Sequence, residues 1–321
     1  MRRAVLAALL LALAGRLTAA ATPLGVVRLS QTISTDAIVA DAKGYFAEEG
    51  LQIQWTGKQA HGPAVLVTVA AGENDFAGTV ASAVFLARAR GSKLRIFARS
   101  SVSSAKEPQY HYLVKDGSPL KEPKDLVGKK VVAQPATITW YPIALWLKRG
   151  GVDLNAVEFV TLTSPLAQLQ AFQEGKVDVL GVNESTSTGN LLLAQGGVHY
   201  LAGVSDAEVL GVSQIGGWAA REEYLAQHPE RVRAFLRGMT KGIRWANAHP
   251  DEALAILNKV NEVPAKLAPY VKWRHSDPDL SVDPKSIARW TSLLEEFGQI
   301  PKGSIRPEDV FTNEFIPPTA H

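Results

Sequence analysis

The amino-acid sequence predicts an α/β protein with two doubly wound α/β lobes and a ligand cleft between them. Short strand-like segments alternate with helical segments, which is typical of βαβ units around a mostly parallel sheet. The phrase "VAAGENDFAGT" at 69–79 also has a counterpart in "AFQEGKVDVLGVN" at 171–183. A chain of 321 residues is longer than a single hydrophobic core usually supports, so we expect two lobes.

The repeated phrase indicates how each lobe is built. Gly72 and Asp75 in the first copy correspond to Gly175 and Asp178 in the second. In such a phrase, Gly ends a helix in the left-handed conformation and Asp supports the turn into a short buried strand. Ligands of open α/β sheets bind beside the carboxyl ends of such strands, and two facing edges would form a cleft closed by hinge motion. The phrase also suits doubly wound proteins in general, so the repeat alone leaves both interpretations open.

The first residues predict export. Two Arg precede an apolar run at 4–14, and small residues follow at 19–21. This pattern is typical of a secretory signal peptide, cleaved near Ala21. The alternative is an uncleaved membrane anchor, but the apolar run is shorter than the roughly 20 residues that span a bilayer. We therefore expect a periplasmic protein.

Composition excludes several classes of function. The chain contains no Cys, so it has no disulfides and no lipid anchor on an N-terminal Cys. The leader at 1–21 carries three Arg and no acidic residue, which leaves 31 basic and 31 acidic residues in the rest of the chain. This balance gives no electrostatic argument for binding nucleic acid or a membrane surface.

Apolar periodicity and boundary residues predict the individual elements. Alternation indicates the strand "LQIQWTG", and Pro63 and Gly72 mark the two ends of one helix. We predict strands at 24–31, 51–57, 74–78, 93–103, 110–116, 128–134, 156–162, 177–183 and 198–204. We predict helices at 34–50, 62–72, 79–91, 138–151, 164–175, 185–197, 231–247, 250–260, 264–272 and 283–298. The pattern restarts after residue 105, so a second α/β unit spans about 106–213.

Helices dominate the last third of the chain. Val232, Phe235, Leu236 and Met239 share one face of the helix at 231–247. Such a stripe usually packs against a core, although it could also bind a partner. We expect this helical part to pack on one of the two α/β units.

Several phrases, in the same order, resemble those of the periplasmic solute-binding proteins for nitrate, taurine and aliphatic sulfonates. They are "AKGYFAEEGLQIQW", "VTVAAGENDFAGTVASAVFLARARG", "PKDLVGKKVVA", "GVDLNAVEFVTLTSPLAQLQAFQEGKVDVL" and "AHPDEALAIL", and the resemblance covers about 24–260. It implies the type II periplasmic-binding-protein architecture, with lobe I at 24–105 plus 214–321 and lobe II at 106–213. It also implies a small-molecule solute, and an ABC permease with its ATPase as partners at the inner membrane.

The resemblance places the solute among loops at the facing strand ends. The implied ligand-binding residues are Ser34, Thr35, Gly78, Thr79, Gln134, Thr137, Thr139, Trp140, Asn183, Glu184, Gly217 and Trp218. Helix N-termini at these loops would bind an anion, and aromatic rings would cover the apolar part of the solute. Lys58, His61 and Arg99 are further candidates because an anion site could use their charge.

Each of these assignments has a structural alternative. Ser34 and Thr79 could simply cap helices, and Lys58 and His61 could be solvated loop residues. Glu184 suits a solute with an ammonium group, such as an aminosulfonate, but it could instead cap the following helix.

We expect a binding protein, not an enzyme. The sequence has no GxSxG, HExxH, P-loop or GxGxxG motif, and we expect no cofactor and no metal. Related folds that use Cys chemistry are excluded by the lack of Cys. An exported enzyme of similar fold, and a sensor without a transporter, stay open as alternatives.

The identity of the solute is left open by the sequence. Sulfonates, taurine, nitrate, aromatic carboxylates and thiamine-precursor pyrimidines are all candidates, and the aromatic "TITWYPIALW" favours an organic solute over nitrate. We expect a monomer that binds its solute by hinge closure.

Overall fold

The computed structural model describes residues 22–31, 35–58, 62–162 and 164–317, and every structural statement below refers to these ranges. The predicted signal peptide at 1–21 lies outside them. No helix in these ranges is both long enough and apolar enough to cross a membrane.

Strands and helices alternate through the first two thirds of the chain, and helices follow. The strands are β1 (Gly25–Leu29), β2 (Leu51–Trp55), β3 (Phe76–Val80), β4 (Leu94–Ser103), β5 (Tyr110–Lys115), β6 (Lys130–Val132), β7 (Glu158–Val160), β8 (Val179–Asn183), β9 (Val198–Tyr200) and β10 (Ser213–Arg221). The helices are α1 (Thr35–Ala42), α2 (Tyr45–Glu48), α3 (Gly62–Ala70), α4 (Ala81–Ala89), α5 (Tyr141–Arg149), α6 (Pro165–Gln173), α7 (Ser187–Gln195), α8 (Asp206–Leu210), α9 (Glu222–Gln227), α10 (Pro229–Ala248), α11 (Pro250–Val260), α12 (Pro284–Glu296) and α13 (Pro307–Val310). Short 3-10 turns lie at Pro123–Leu126, Leu154–Ala156 and Ala268–Tyr270.

The strands form two five-stranded sheets. Sheet A has the order β2-β1-β3-β10-β4, and sheet B has the order β7-β6-β8-β5-β9. β1 pairs in parallel with β2 and β3, and β6 pairs in parallel with β7 and β8. β10 returns from the second unit and pairs antiparallel with β3 and β4, and β5 likewise pairs antiparallel with β8 and β9. The predicted α/β fold with two sheet-and-helix units is therefore confirmed.

The two copies of the repeated phrase perform the same structural task. The Gly of each copy adopts a left-handed conformation, with φ of 80° in the first and 70° in the second. Asp75 accepts a hydrogen bond from the backbone N–H of Arg28 (2.8 Å), and Asp178 accepts one from that of Lys130 (2.8 Å). In both sheets the Asp thus ties the start of one parallel strand to its neighbour and sets their register.

The apolar stripe of α10 packs against sheet A. Its Phe235 ring stacks on Phe46 at 5.1 Å and lies 5.0 Å from the ring of Phe76. Gly242 allows α10 to approach α1, because a Cβ atom there would lie 2.5 Å from the Cβ of Ala40. The stripe therefore belongs to the core, as the first of the two interpretations predicts.

The predicted helix at 264–272 is wrong. Only Ala268–Tyr270 forms a 3-10 turn, and Val271 continues in an extended conformation. Pro269 explains the difference, since Pro removes a backbone donor and its ring clashes with the preceding helical turn. The segment that follows crosses between the two sheets, and it contributes to the site described next.

Candidate functional site

The carboxyl edges of the two sheets face the same part of the molecule. β4 runs parallel to β3, because both pair antiparallel with β10, so Ser103 ends β4 at the carboxyl edge of sheet A. β5 begins at Tyr110, opposite Asn183 at the end of β8. The connection at 104–109 therefore joins the two carboxyl edges, which is where ligands of α/β sheets bind.

Asp206 fixes the start of β5 at this junction. Its Oδ1 accepts hydrogen bonds from the backbone N–H groups of Gln109 (3.0 Å), Tyr110 (3.2 Å) and Ala207 (2.9 Å). Burial raises the pKa of Asp206 above its usual value, although these hydrogen bonds act in the opposite direction. A buried carboxylate thus holds the chain where it passes between the sheets.

Sheet A brings four of the predicted site residues together with Arg99. Gly217 in β10 lies opposite Thr79 on one side and Arg99 on the other, and Trp218 lies opposite Gly78. Three adjacent strands therefore place these backbones side by side near the carboxyl edge.

Thr79 has a buried hydroxyl group that is not used for capping. Its residue is 1% exposed, and Oγ1 has no hydrogen-bond partner among the described residues. The N-cap of α4 is Val80, which makes no side-chain capping bond. The alternative of Thr79 as a helix cap is thus not supported, and a buried hydroxyl without a partner is expected to bind something else.

Trp218 and Gly217 have roles within the sheet. The Trp218 ring is 2% exposed and packs edge-on against Phe235 at 5.0 Å, so it lies in the core and not in a wall of the cleft. The reason is strand alternation, which points Trp218 to the face that α10 covers. At Gly217 a Cβ atom would lie 2.6 Å from Ile96 Cγ2 and 2.9 Å from the Ala98 carbonyl, so strand packing requires Gly there.

The turn after β6 contains three predicted site residues. Thr137 Oγ1 donates to the Gln134 carbonyl (2.6 Å) and lies 2.9 Å from Thr139 Oγ1, while the Tyr112 hydroxyl donates to the Thr139 carbonyl (2.7 Å). Ala136 has φ of 63°, a conformation that residues other than Gly rarely adopt. Such strain is often found at binding sites, so this turn is a candidate for contact with a ligand.

Trp140 follows this turn and is nearly buried. Its ring lies 4.9 Å from Phe297 and 6.0 Å from Phe159, and 8% of the residue is exposed. The indole Nε1 has no acceptor among the described residues. Tyr141 next to it packs on Trp290 at 5.3 Å, so helices of both units meet in this aromatic cluster.

Asn183 lies at the end of β8 and forms local hydrogen bonds. Its Oδ1 accepts from the backbone N–H (3.0 Å) and the hydroxyl (2.6 Å) of Ser185. Burial raises the pKa of the neighbouring Tyr110 to about 12, and a hydrogen bond with Asn183 partly offsets this rise. Tyr110 is therefore a neutral hydroxyl group near neutral pH.

Glu184 contacts His111 and does not cap α7. Its Oε2 lies 2.8 Å from Nε2 of His111, whose ring stacks on Tyr200 at 4.1 Å. The N-cap of α7 is Thr186. The capping alternative for Glu184 is therefore wrong, and its carboxylate faces a basic side chain of β5.

A segment that we call the strap, residues 270–277, crosses the junction of the two sheets. On the side of sheet B, Asn190 Nδ2 donates to the Tyr270 carbonyl (3.0 Å), and the backbone N–H of Lys272 donates to the Ser185 carbonyl (3.3 Å). The strap is thereby attached to α7 and to the loop that holds the predicted site residues after β8.

The strap is also attached to sheet A and α1. Ser276 Oγ donates to Asp36 Oδ1 (3.1 Å) in the first turn of α1, and Arg99 forms an ion pair with Asp277 (2.7 Å). Arg99 is therefore engaged by the strap, and it is not the free cation in the cleft that the sequence suggested. The strap borders the carboxyl edges of both sheets.

Arg274 lies at the centre of the strap and faces both sheets. It lines two cavities of about 170 and 190 Å³, and its Nη2 donates to the carbonyls of Val102 and of Glu107, the latter at 3.1 Å. It forms no ion pair with a carboxylate among the described residues, and its nearest acidic influences are Glu107, Asp206 and Glu184. Burial lowers the pKa of Arg274, but an Arg side chain stays charged in proteins.

The remaining predicted residues lie apart or outside the described ranges. Lys58 is exposed and pairs with Glu262 at 3.2 Å, which supports the interpretation as a solvated loop residue. Thr35 is the exposed first residue of α1. Ser34 and His61 lie outside the described residues.

The strap is only weakly marked in the sequence. "RHSDPD" at 274–279 has neither a helical nor a strand period, and the mixture of Arg, Asp and Pro is the only signal that marked it as a loop. Asn190 and Asp206 were also missed, because buried polar residues that bind backbone groups have no sequence motif. The described ranges contain no cluster of three or more metal-ligating side chains.

Two solute-binding proteins are similar to this chain over most of its length. The taurine-binding periplasmic protein of Escherichia coli (strain K12) is 25% identical over 304 residues, covering 89% of this chain and 91% of that protein. The riboflavin-binding protein RibY of Chloroflexus aurantiacus is 26% identical over 307 residues, covering 87% of this chain and 81% of that protein. Two relatives of nearly equal identity thus have names that specify different solutes.

The fold and a family model agree with the resemblance found in the sequence. The alkanesulfonate-binding protein SsuA from Xanthomonas axonopodis pv. citri, solved with bound MOPS, superposes with a TM-score of 0.73 at 19% identity, covering 91% of this chain and 100% of that chain. This similarity confirms the periplasmic-binding-protein fold. The NMT1/THI5-like family model matches residues 31–253. Because that match spans well over half of the sequence, the chain belongs to the NMT1/THI5-like family.

Proposed function

We propose that this protein is the periplasmic solute-binding component of an ABC importer and that it captures a small organic sulfonate. It binds the solute at the joined carboxyl edges of the two sheets and delivers it unaltered to a permease that an ATPase drives. The observation that carries this proposal is a pair of buried polar groups without partners among the described residues, Thr79 Oγ1 in sheet A and Trp140 Nε1 after β6 of sheet B. The strap adds the cation of Arg274, which lines two cavities at the junction of the sheets.

An anionic head group fits these polar groups. Thr79 Oγ1 and Trp140 Nε1 are buried without partners among the described residues; Thr79 lies near the end of β3 in sheet A, and Trp140 follows β6 of sheet B. Arg274 offers a positive charge that no carboxylate neutralises directly. A sulfonate has three oxygens that accept hydrogen bonds, and charge-assisted hydrogen bonds of this kind are strong.

An organic body fits the aromatic residues nearby. Trp140 packs with Phe159 and Phe297, so an apolar group beside its indole would contact ring surface. Nitrate would leave such a surface unused. The names of the taurine-binding relative and of the structure with bound MOPS also support a sulfonate.

The contact of Glu184 with His111 bears on whether the solute also carries an ammonium group. Oε2 of Glu184 is bound to His111 at 2.8 Å, and 37% of the Glu184 side chain is exposed, so it could still attract an ammonium group through its other oxygen. If taurine is the solute, Glu184→Gln should weaken taurine binding and leave the binding of an alkanesulfonate without an amine unchanged. If the original protein and Glu184→Gln bind taurine with equal affinity, Glu184 is not part of the site.

We further propose that lobe I comprises 24–105 and 214–321, that lobe II comprises 106–213, and that they close around the solute as hinged bodies in a monomer. The strap would then form hydrogen bonds to both lobes only in the closed form, and its contacts with Asn190 and Ser185 would break on opening. Small-angle scattering with and without a tight ligand tests this, since an unchanged radius of gyration would contradict closure. Size-exclusion chromatography coupled to light scattering tests the monomer.

A ligand screen tests the proposed function directly. The protein should be unfolded, stripped of bound molecules and refolded, and its melting temperature measured with taurine, alkanesulfonates, nitrate, aromatic carboxylates and riboflavin. Sulfonates should raise the melting temperature the most, because a ligand of the native state stabilises it by mass action. A larger shift with riboflavin or nitrate would refute the sulfonate, and conversion of a bound compound, followed by mass spectrometry, would refute a binding protein.

A further inference from the structure

A further cavity lies between the two α/β units and shares no lining residue with the strap. It has a volume of about 330 Å³ and is lined by α5, α8, the start of β10 and α12. None of its lining residues belongs to the two cavities beside Arg274. A volume of this size is in the range of small-molecule sites. We call it the hinge cavity, because β10 is one of the two connections between the sheets.

The floor of the hinge cavity is apolar. Leu145, Val209, Trp290 and Leu293 line it, and each is less than 9% exposed. Trp290 has its indole N–H bound to the Gln214 carbonyl at 2.8 Å, so the ring is fixed in orientation. A rigid apolar floor of this kind favours an aromatic or aliphatic body.

The rim of the hinge cavity carries two Arg side chains that are fixed by backbone carbonyls. Arg149 Nη1 donates to the Val209 carbonyl (2.9 Å), and Arg289 Nη2 donates to the Val212 carbonyl and to Ser286 Oγ (2.9 Å). Both guanidinium groups thus line the same opening. Arg149 is held by a carbonyl of α8, and Arg289 is held by the carbonyl of the residue before β10.

These two cations are poorly neutralised. Arg149 forms no ion pair among the described residues, and the nearest carboxylate of Arg289 is that of Asp283, at 3.9 Å. Glu296 also lines the cavity, but its carboxylate pairs with Lys148 at 2.9 Å. The rim is therefore positively charged, and it fits a carboxylate or sulfonate group.

We propose that the hinge cavity is a second binding site, which takes a small amphipathic organic acid with an apolar body and one anionic group. The anionic group binds Arg149 and Arg289, and the body lies against Trp290 and Leu293. α5 and α8 accompany sheet B, whereas α12 packs on α4 and β10 of sheet A. Hinge motion changes the width of the cavity, so an occupant favours one conformation and alters affinity at the cleft. Only the effect on affinity at the cleft rests on the proposed function.

Binding is tested with 8-anilinonaphthalene-1-sulfonate as the probe, by fluorescence titration of the stripped protein. We expect saturable binding that weakens at least tenfold in the double variant Arg149→Gln, Arg289→Gln, because hydrogen bonds to charged groups are the stronger ones. Ser292→Trp, a substitution on the exposed face of α12 that lines the cavity, should block it. Lys285→Gln removes a charge from the same helix outside the cavity and should bind as the original protein does.

Equal probe affinity in the original protein, the double Arg variant and Ser292→Trp would overturn the proposal, as would the absence of saturable binding. Each variant needs a melting temperature close to that of the original protein, so that a folding defect is recognised. The double Arg variant and Ser292→Trp change only the hinge cavity, so a loss of probe affinity in them would show binding there and not at the cleft. A failure of the sulfonate assignment therefore leaves this test intact.

Discussion

Thr79→Val should separate the stability of the protein from its affinity for the solute. Val replaces the hydroxyl with a methyl group of similar size, at a position that is 1% exposed. The hydroxyl has no partner among the described residues, so its removal breaks no known hydrogen bond of the protein. A buried unpaired hydroxyl costs about 1–3 kcal/mol, so the variant should be as stable as the original or about 1 kcal/mol more stable. If the anionic solute binds this hydroxyl, the loss of about 1.5–3 kcal/mol lowers affinity on the order of tenfold to a hundredfold.

Thermal unfolding and isothermal titration calorimetry of the stripped protein measure the two effects. Thr291→Val is the matched control, because Thr291 is also buried but donates to the Ile287 carbonyl at 3.2 Å and lies on α12. The control should lose about 0.5–1.5 kcal/mol of stability and bind the solute unchanged. Our reasoning is refuted if Thr79→Val destabilises the protein as the control does, or if it binds the sulfonate with unaltered affinity.

Three further predictions concern the strap and the packing around it. Asn190→Ala should destabilise the protein by about 1–3 kcal/mol and speed solute release, because the buried Asn190 side chain donates to three backbone carbonyls, including that of Tyr270 in the strap. Urea unfolding measures the stability, and stopped-flow fluorescence measures the release. Gly242→Ala should cost about 1–3 kcal/mol by overpacking, since the new Cβ would lie 2.5 Å from the Cβ of Ala40; an unchanged urea midpoint would contradict this close contact. Burial raises the pKa of Asp36 to about 6, although a hydrogen bond from Ser276 opposes the shift, so the folded state binds the proton more tightly than the unfolded state. The stabilisation that comes from protonated Asp36 is complete below pH 4 and is lost as pH rises through about 6, which lowers the free energy of unfolding by up to about 3 kcal/mol. Urea unfolding between pH 4 and 7 measures this loss, and Asp36→Asn should remove this part of the pH dependence.

The sequence predicted the features that are local or repeated, and it failed where distant segments meet. Asp75 and Asp178 lie in copies of one phrase, and each bonds the neighbouring strand as a turn-forming Asp is expected to do. Trp218 lies in β10, a strand that was not predicted, and alternation along a strand does not reveal which face a later helix covers. Arg274 meets Val102 across 172 positions of sequence, and no periodicity records such a contact.

The charges around Arg274 indicate why a bound anion would be retained without being held irreversibly. A lone buried cation would bind an anion strongly but would be costly to fold, whereas a cation in a salt bridge would bind an added anion more weakly. Arg274 lies between these limits: two backbone carbonyls orient it, and Glu107, Asp206 and Glu184 act on it from a distance. One of these carboxylates, Glu184, faces His111, and Asp206 is bound to backbone N–H groups. Two of the three acidic side chains therefore have other partners, so the guanidinium would keep part of its field for a bound anion. Because this cation is carried by the strap, which contacts both sheets, an anion bound to it would draw the two carboxyl edges together, and capture and closure would follow from one interaction.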